Sequence, residues 1–332
     1  MPKDNENDLI FPIGSINDLV YEMLRQIPKG MVTTYGNIAE ALGDIRAARA
    51  IGMIVSQNPM PLVVPCHRVI YSTGEIGWYG GKNKGNVEKK ELLRKEGVAI
   101  IGDRVVNFEQ ICFSDFKVVP ILKILREKQE RMRTRVIDYD DFGTVRFVAG
   151  IDVSYHNDQA FAAIAISDFE TGKIIEERVL KKSVEFPYIP TYLAFREIPV
   201  IADLIIRKEN TIYMIDGHGI LHPRGFGIAS HVGVHFDLPT IGVAKRLLIG
   251  EVQGDDAMVS PIILDGKVKG YLIKKSGRKS LFVSVGHRIS LSTACMICRR
   301  FVDYDIQDPL SRAHELANQY RKKTIEKEKC HL

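Results

Sequence analysis

Ala149-Gly150-Ile151-Asp152-Val153-Ser154-Tyr155 is an apolar, strand-like run with a carboxylate set inside it. A carboxylate in such a place is expensive unless it is paired or holds a cation. Outward from it, Arg146–Val153 and Gln159–Ser167 read as strands. A turn follows at Glu170-Thr171-Gly172, then a third strand over Lys173–Leu180. Thr211–Ile215 and Thr240–Val243 are short buried strands. Lys267–Lys274 and Leu281–Val285 form a late hairpin ahead of two terminal helices. Helices alternating with apolar strands predict an α/β domain around a mixed central sheet.

Upstream the period changes. Ile16, Leu19, Val20, Met23 and Leu24 recur at helical spacing until Pro28-Lys29-Gly30. A threonine cap at Thr33-Thr34 opens a second helix that closes at Gly43. A third, rich in small residues, runs from about Arg46 to Ser56. Two short helices joined by a Gly-Asp turn are a helix-turn-helix candidate, although many helical hairpins bind nothing. Periodicity fades over Gly102–Phe116, which places a division between residues 1–108 and 109–332. A long amphipathic helix, basic on one face, is expected over Val118–Val136. No internal repeat or low-complexity segment interrupts the chain.

The 332 residues suit two domains. With 45% hydrophobic and 26% charged residues, the chain can bury real cores. No apolar run has the length of a bilayer span. Residues 1–8 are polar, without a signal-peptide core, so cytoplasmic residence is expected. Five scattered cysteines (Cys66, Cys112, Cys295, Cys298, Cys330) make no disulfide framework. Cys295 and Cys298 have CxxC spacing but no second pair; they read either as small buried hydrophobes or as a metal or redox pair. Net charge is +5. Residues 1–110 hold equal numbers of acids and bases, so the excess lies beyond them, much of it in Lys117–Arg135 and Arg321–Lys329. Those runs are solvated helix faces or the footprint of a nucleic acid.

Two pieces of chemistry stand out. Pro65-Cys66-His67-Arg68 puts a thiol beside a possible base, the requirement of a sulfur nucleophile. The wider string, Asn58-Pro59-Met60-Pro61-Leu62-Val63-Val64-Pro65-Cys66-His67-Arg68 with Gly77-Trp78-Tyr79-Gly80-Gly81, resembles the O6-alkylguanine-DNA alkyltransferase family. The resemblance reaches back through Gly30–Gly36 and Ala47–Gly52 and ends at Glu96-Gly97. It implies a mostly α, winged helix-turn-helix-like domain in which Cys66 accepts the alkyl group once and irreversibly, without a cofactor. His67 would activate Cys66 through a water, with Glu96 orienting the histidine. Asn58 would brace the turn into the cysteine strand. Arg49 would replace a flipped guanine in the duplex. Tyr35 would rotate the nucleotide, and Tyr79 would wall the pocket. Three departures accompany it: almost nothing stands where the family carries an N-terminal β-rich subdomain, Gly80 follows Tyr79 where a hydroxyl donor is common, and the loop over 82–87 is long.

The second piece is acidic. Asp152, Glu197 in Phe195-Arg196-Glu197, and Asp216 in Met214-Ile215-Asp216-Gly217-His218-Gly219 could converge as a cage for a hard cation, or be salt-bridged structural acids. The strings Phe186–Glu197, Asp216–Arg224, Gly225–His231 and Gly242-Val243-Ala244-Lys245 resemble the endonuclease V family over roughly residues 115–325. This implies a ribonuclease H-like fold and Mg²⁺-dependent nicking, with Mn²⁺ a possible substitute, at the second phosphodiester bond 3′ of a deaminated base, chiefly hypoxanthine. Asp152, Glu197 and Asp216 would hold the metal. His314 would lie near metal and scissile phosphate, and Lys245 would stabilise charge on the cleaved phosphate. Tyr188, in Pro187-Tyr188-Ile189-Pro190, would be a wedge stiffened by two prolines. Gly219, Ile220, Leu221 and His222 would line the base pocket and read hypoxanthine through backbone amides.

The combined expectation is a two-part DNA-repair protein, monomeric, acting on double-stranded DNA with no membrane partner. Two rivals accompany it: a first domain that only grips DNA and delivers the nuclease, with Cys66 inert, and a nuclease that prefers inosine in RNA.

Overall fold

The computed structural model describes residues 15–79, 85–254, 257–274, 280–304 and 306–330. It divides into two compact units, Met1–Glu127 with Glu185–Pro190, and Lys128–Val184 with Thr191–Leu332.

The first unit is built of short helices and two-residue strands. Helix α1 (Ile16–Gln26) is capped by the Ser15 side chain, which accepts from the Asp18 amide, and buries Ile16, Val20, Met23 and Leu24. Strand β1 (Thr33–Thr34) leads into α2 (Tyr35–Ala41), whose cap is Thr34. The third expected helix starts as a 3₁₀ turn at Ile45–Ala47, capped by Asp44, and becomes α3 (Ala48–Ser56). A 3₁₀ turn at Cys66–Arg68 precedes β2 (Val69–Ile70), which pairs parallel with β1, Thr33 opposite Val69. Helix α4 (Val87–Lys95) follows, then the hairpin β3 (Ile100–Ile101) and β4 (Arg104–Val105), and α5 (Phe108–Ile111). Val32, Ile70, Ile76, Leu93, Val98 and Val105 close the core around β2 and α4.

The compact unit runs past the expected division after residue 108. The Val32 amide donates to Ile111 O at 2.9 Å, Phe113 N to Val32 O at 2.7 Å, and Leu122 N to Leu42 O at 2.8 Å. A Cβ on Gly43, whose φ is +104°, would meet the Lys123 backbone nitrogen at 2.6 Å. Backbone bonds of this kind bind residues 109–127 to the first unit, although periodicity fades up to Phe116 and the expected division assigns the amphipathic helix beyond it to the second domain. Helix α6 (Ile121–Arg133), shorter at both ends than Val118–Val136, runs through the division point.

The second unit is a nine-stranded mixed sheet with helices against it. Its strands are β5 (Phe147–His156), β6 (Gln159–Asp168), β7 (Ile174–Ser183), β8 (Thr211–Asp216), β9 (Thr240–Ala244), β10 (Glu251–Val252), β11 (Val259–Leu264), β12 (Lys267–Ile273) and β13 (Leu281–His287). Their order is β10-β11-β12-β13-β9-β8-β5-β6-β7; β5–β8 and β8–β9 are parallel and the other pairs antiparallel. The expected hairpin is present, with Gly270 opposite Ser284, but β10 and β11 were not foreseen. Strand β6 is buried from Ala160 to Ser167, as an inner strand covered on both faces must be. Strand β7, rich in Glu and Lys, closes one edge, where charge discourages further pairing.

Four helices complete the unit: α7 (Leu193–Ile201), α8 (Ile228–Phe236), α9 (Leu291–Asp303) and α10 (Pro309–Cys330). Ala294, Cys295, Ile297, Cys298 and Phe301 of α9 pack on Val148, Ile212, Met214, Val283 and Val285 of the sheet. Both cysteines are buried free thiols whose ionisation burial pushes up, which answers the CxxC question in favour of small core hydrophobes. Helix α10 lies on β5 and β6 through alanines, Ala163 and Ala165 against Ala313 and Ala317. At its start the backbones nearly touch: a Cβ on Gly150 would stand 2.2 Å from the Leu310 nitrogen.

Two candidate active sites

In the first unit, Asn58 shapes the approach to the cysteine. Its Nδ2 donates to Val64 O at 2.9 Å and lies 3.0 Å from Cys66 Sγ, while its Oδ1 accepts from Met60 N at 3.0 Å. These bonds hold a turn in which Leu62 adopts φ +76°, a left-handed conformation unfavourable for leucine. Cys66 is buried, and its amide donates to Val64 O at 2.8 Å.

His67 and Glu96 meet as expected, Nε2 to Oε1 at 2.9 Å. Arg68, which carried no role in the sequence reading, grips the same carboxylate with Nε at 2.9 Å and Nη2 at 2.7 Å, and anchors Nη1 on Ile27 O at 2.6 Å. Burial pushes the Glu96 carboxyl up, but the bonds from Arg68 and His67 outweigh it and hold the group at about 2. Burial pulls His67 below its ordinary value, and Glu96 only partly offsets that. The imidazole is thus kept neutral beside a permanent carboxylate, with Nδ1 buried and unpaired.

Around this turn, Tyr35 packs on Tyr71 with ring centroids 5.9 Å apart, and Tyr79 is buried. Burial first raises both phenols to about 12, with Tyr71 the next cause for Tyr35 and Cys66 the next for Tyr79, so both remain hydrogen-bond donors. Arg49 stands exposed on α3. Gly80 and residues 82–84 lie outside the described residues. Lys89 went unnoticed in the sequence: it is 1% exposed, donates to Val69 O at 2.6 Å, and burial lowers its ammonium to about 8. Its one legible signal is the i,i+4 spacing to the buried Leu93.

In the second unit, Asp152 sits in β5 and Asp216 at the end of β8, neighbours in parallel register. Ligand atoms of Asp152, Asp216 and His314 all lie within 4.8 Å of one another. His314 Nδ1 is 2.7 Å from Asp152 Oδ2, and Lys245 Nζ is 2.7 Å from Asp216 Oδ2. Glu197, from α7, shares a cavity of about 260 Å³ with Asp152 and Asp216. Burial first and the Asp216 charge second push Asp152 up to about 6. Burial carries Glu197 to about 8, the Tyr155 bond opposing and the two aspartates adding. Asp152 and Glu197, whose ionisation burial and neighbouring charge oppose, line a cavity together with Asp216; a hard divalent cation fits there and would remove that penalty.

The endonuclease V family model matches residues 130–315, and the model of the 6-O-methylguanine DNA methyltransferase DNA-binding domain matches residues 15–98. A bifunctional methyltransferase/endonuclease of Thermoplasma volcanium is 36% identical over 297 residues, 90% of this chain and 88% of that one. The chain belongs to this bifunctional methyltransferase/endonuclease family. Its endonuclease V region resembles the crystal structure of endonuclease V from Streptomyces avermitilis, at 34% identity and a TM-score of 0.55, covering 61% of this chain and 94% of that one. It also resembles Ciona intestinalis endonuclease V in complex with a 24-mer DNA containing an inosine followed by a ribo-adenosine, at 28% identity and a TM-score of 0.55, covering 61% and 98%.

Within the endonuclease V region, three of the four backbone amides expected along the base pocket are engaged inside the fold. Gly219, Ile220 and His222 were to offer their amides to a base. Those amides donate instead to Ser284 Oγ at 3.0 Å, Val285 O at 2.9 Å and Ile220 O at 2.8 Å. The backbone is committed because β13 passes so close that a Cβ on Gly219 would stand 1.8 Å from Val285 O. Leu221 is fully buried, and His222 nearly so. Tyr188 is 63% exposed, and its segment, Glu185–Pro190, clusters with the first unit. Sequence reasoning also missed Tyr155, whose hydroxyl donates to Glu197 Oε1 at 3.1 Å beneath the Arg196 guanidinium. It missed Asn318 as well, although its i+4 spacing from His314 was visible.

Proposed function

We propose that this chain repairs DNA in two ways: stoichiometric transfer of an alkyl group from O6-alkylguanine to Cys66, and Mg²⁺-dependent incision at the second phosphodiester bond 3′ of hypoxanthine, with Mn²⁺ able to substitute. The observation that carries the reading is the coexistence of a braced cysteine beside a His67–Glu96–Arg68 relay and a clustered Asp152–Asp216–His314 centre, in separate units.

In the first reaction, His67 Nδ1 is the ring nitrogen free to take the Cys66 proton, directly or through a water, because Nε2 is engaged by Glu96. The thiolate sulfur attacks the alkyl carbon; an S–C bond forms, the C–O bond breaks, and the electron pair stays with guanine. Tyr35 and Tyr79, held protonated, donate to the base. Asn58 keeps the sulfur aimed. We read α2 and α3 as the helix-turn-helix, with Arg49 entering the duplex and the β3–β4 hairpin as the wing. By function the halves divide at 108/109, residues 109–127 lending packing to the first unit.

In the second reaction Asp152, Glu197 and Asp216 would hold the metal. When bound, Mg²⁺ supplies Lewis-acid stabilisation of the scissile phosphate and activation of water. Lys245 neutralises charge on the phosphate. His314 stands beside Asp152 at the centre. Tyr188 is the exposed side chain suited to wedge strands apart, and Leu221 with Gly219, Ile220 and His222 backs the base pocket through packing. The fold would be ribonuclease H-like. The protein would act as a monomer on duplex DNA, cytoplasmic and associated with the nucleoid. Among the described residues no helix is long and apolar enough to cross a membrane.

The test is a paired assay on one preparation: methyl transfer from O6-methylguanine duplex, and nicking of a deoxyinosine duplex with and without Mg²⁺. Label on wild type but not on Cys66→Ala is expected. An unlabelled wild type would mean that the first unit only grips DNA. Preferential cleavage of a matched inosine RNA would move the nuclease out of DNA repair.

A further inference from the structure

Strand β5 and helix α10 meet along a ladder of three rungs. Gly150 faces Leu310, Asp152 faces His314, and Ser154 faces Asn318. Each rung advances two residues of strand, about 6.6 Å, and four of helix, about 6.0 Å. The two rises are close enough to keep the register.

The third rung determines the second. Asn318 Oδ1 receives the Ser154 hydroxyl at 3.1 Å and Arg321 Nη2 at 3.0 Å. A guanidinium has no acceptor, so the amide atom facing it is the oxygen. Arg321 is itself held, its Nη1 donating to Tyr155 O at 3.2 Å. The Asn318 NH₂ therefore points the other way. It donates to His314 O at 2.9 Å and lies 3.2 Å from His314 Nε2. An amide NH₂ only donates, so Nε2 must present its lone pair and the ring proton sits on Nδ1. That proton faces Asp152 Oδ2 at 2.7 Å.

We propose that Asn318 locks His314 in the Nδ1–H tautomer, making His314 a donor that orients the Asp152 carboxylate and not a ligand of the metal. A ligating imidazole needs its lone pair on the coordinating nitrogen. Here the nitrogen nearest the carboxylates carries the proton. Asn318 is a positioning residue acting through His314, and Ser154 and Arg321 orient its amide. The inference rests on the nuclease reading of this centre, yet the tautomer is a property of the free protein.

The experiment uses the full chain with ¹⁵N-labelled histidine, the His314 ring signals being assigned by their loss in His314→Gln. Wild type is expected to show a protonated Nδ1 and an unprotonated Nε2. Asn318→Asp, which sets an acceptor against the ring, puts a proton on Nε2. It lowers Mn²⁺ affinity in calorimetry and the nicking rate by about 10- to 100-fold, the usual effect of removing an outer-shell partner. Asn318→Ala, lacking donor and acceptor alike, gives a mixture of tautomers. An unchanged thermal midpoint in both variants separates these effects from misfolding. A wild-type proton on Nε2, or ring signals indifferent to Asn318→Asp, overturns the proposal. Failure of the nuclease reading looks different: the wild-type tautomer is as expected, but the protein neither binds Mn²⁺ nor nicks.

Discussion

At the residue scale, Glu197 shows how burial and charge combine. Burial and two neighbouring aspartates raise it to about 8, and burial with Asp216 raises Asp152 to about 6. A carboxyl raised on folding binds more protons folded than unfolded, so stability is lost as pH climbs through the folded value. A cation in the cavity replaces those protons. The rise in thermal midpoint caused by Mg²⁺ should therefore be small at pH 6 and large at pH 8. A metal-induced rise that shrinks over that interval would contradict the placement of the metal. His231 works the other way: burial lowers it to about 3, so the stability it contributes is present above its ordinary 6.5 and is lost as pH falls from there towards 3. Acid titration of His231→Phe should show a shallower loss of midpoint below pH 6.5 than wild type. Cys66, His67, Glu96, Asp152 and Asp216 were legible because each sits in a short characteristic string. Lys89, Tyr155 and Asn318 were not, because their significance comes from what faces them across the fold.

At the element scale, the β5–α10 contact decides the geometry of the proposed nuclease centre. Gly150 permits the helix to start against the strand, and one helical turn later His314 arrives over Asp152. Gly150→Ala forces the two backbones apart; overpacking of this kind costs about 1–3 kcal/mol. It should lower the midpoint of the second unit and reduce nicking by more than that lost stability explains. Ser290→Ala is the control. It removes the side chain that accepts from Thr293 N at 3.2 Å and caps α9, at a cost of about 1 kcal/mol, away from the metal centre. Urea unfolding and nicking rates of the two variants, compared side by side, separate loss of register from loss of stability; equal effects on nicking would refute the argument. The strands β5, β6, β8 and β9 were visible in apolar runs because both their faces are covered. Strands β10 and β11 were not, since a two-residue strand and a half-exposed edge leave little pattern.

At the scale of the whole molecule, two units carry separate chemistry, and their independence is testable. Asp216→Asn should abolish nicking and leave alkyl transfer at the wild-type rate; Cys66→Ala should do the reverse. Loss of both activities in either variant would end the two-unit account. The sequence by itself determined that there are two families on one chain and most of the central sheet, and it singled out the thiol and the acids proposed to act, because local strings and apolar periods encode those directly. Tertiary structure decided the rest. It carried the first unit on to residue 127 through backbone bonds that no side-chain period announces. It committed the Gly219 and Ile220 amides to β13 and the His222 amide to Ile220 O, and it set the proton on His314 through Asn318. Close backbone approach and hydrogen-bond direction depend on which distant segments are brought together, and that pairing exists only once the chain is folded.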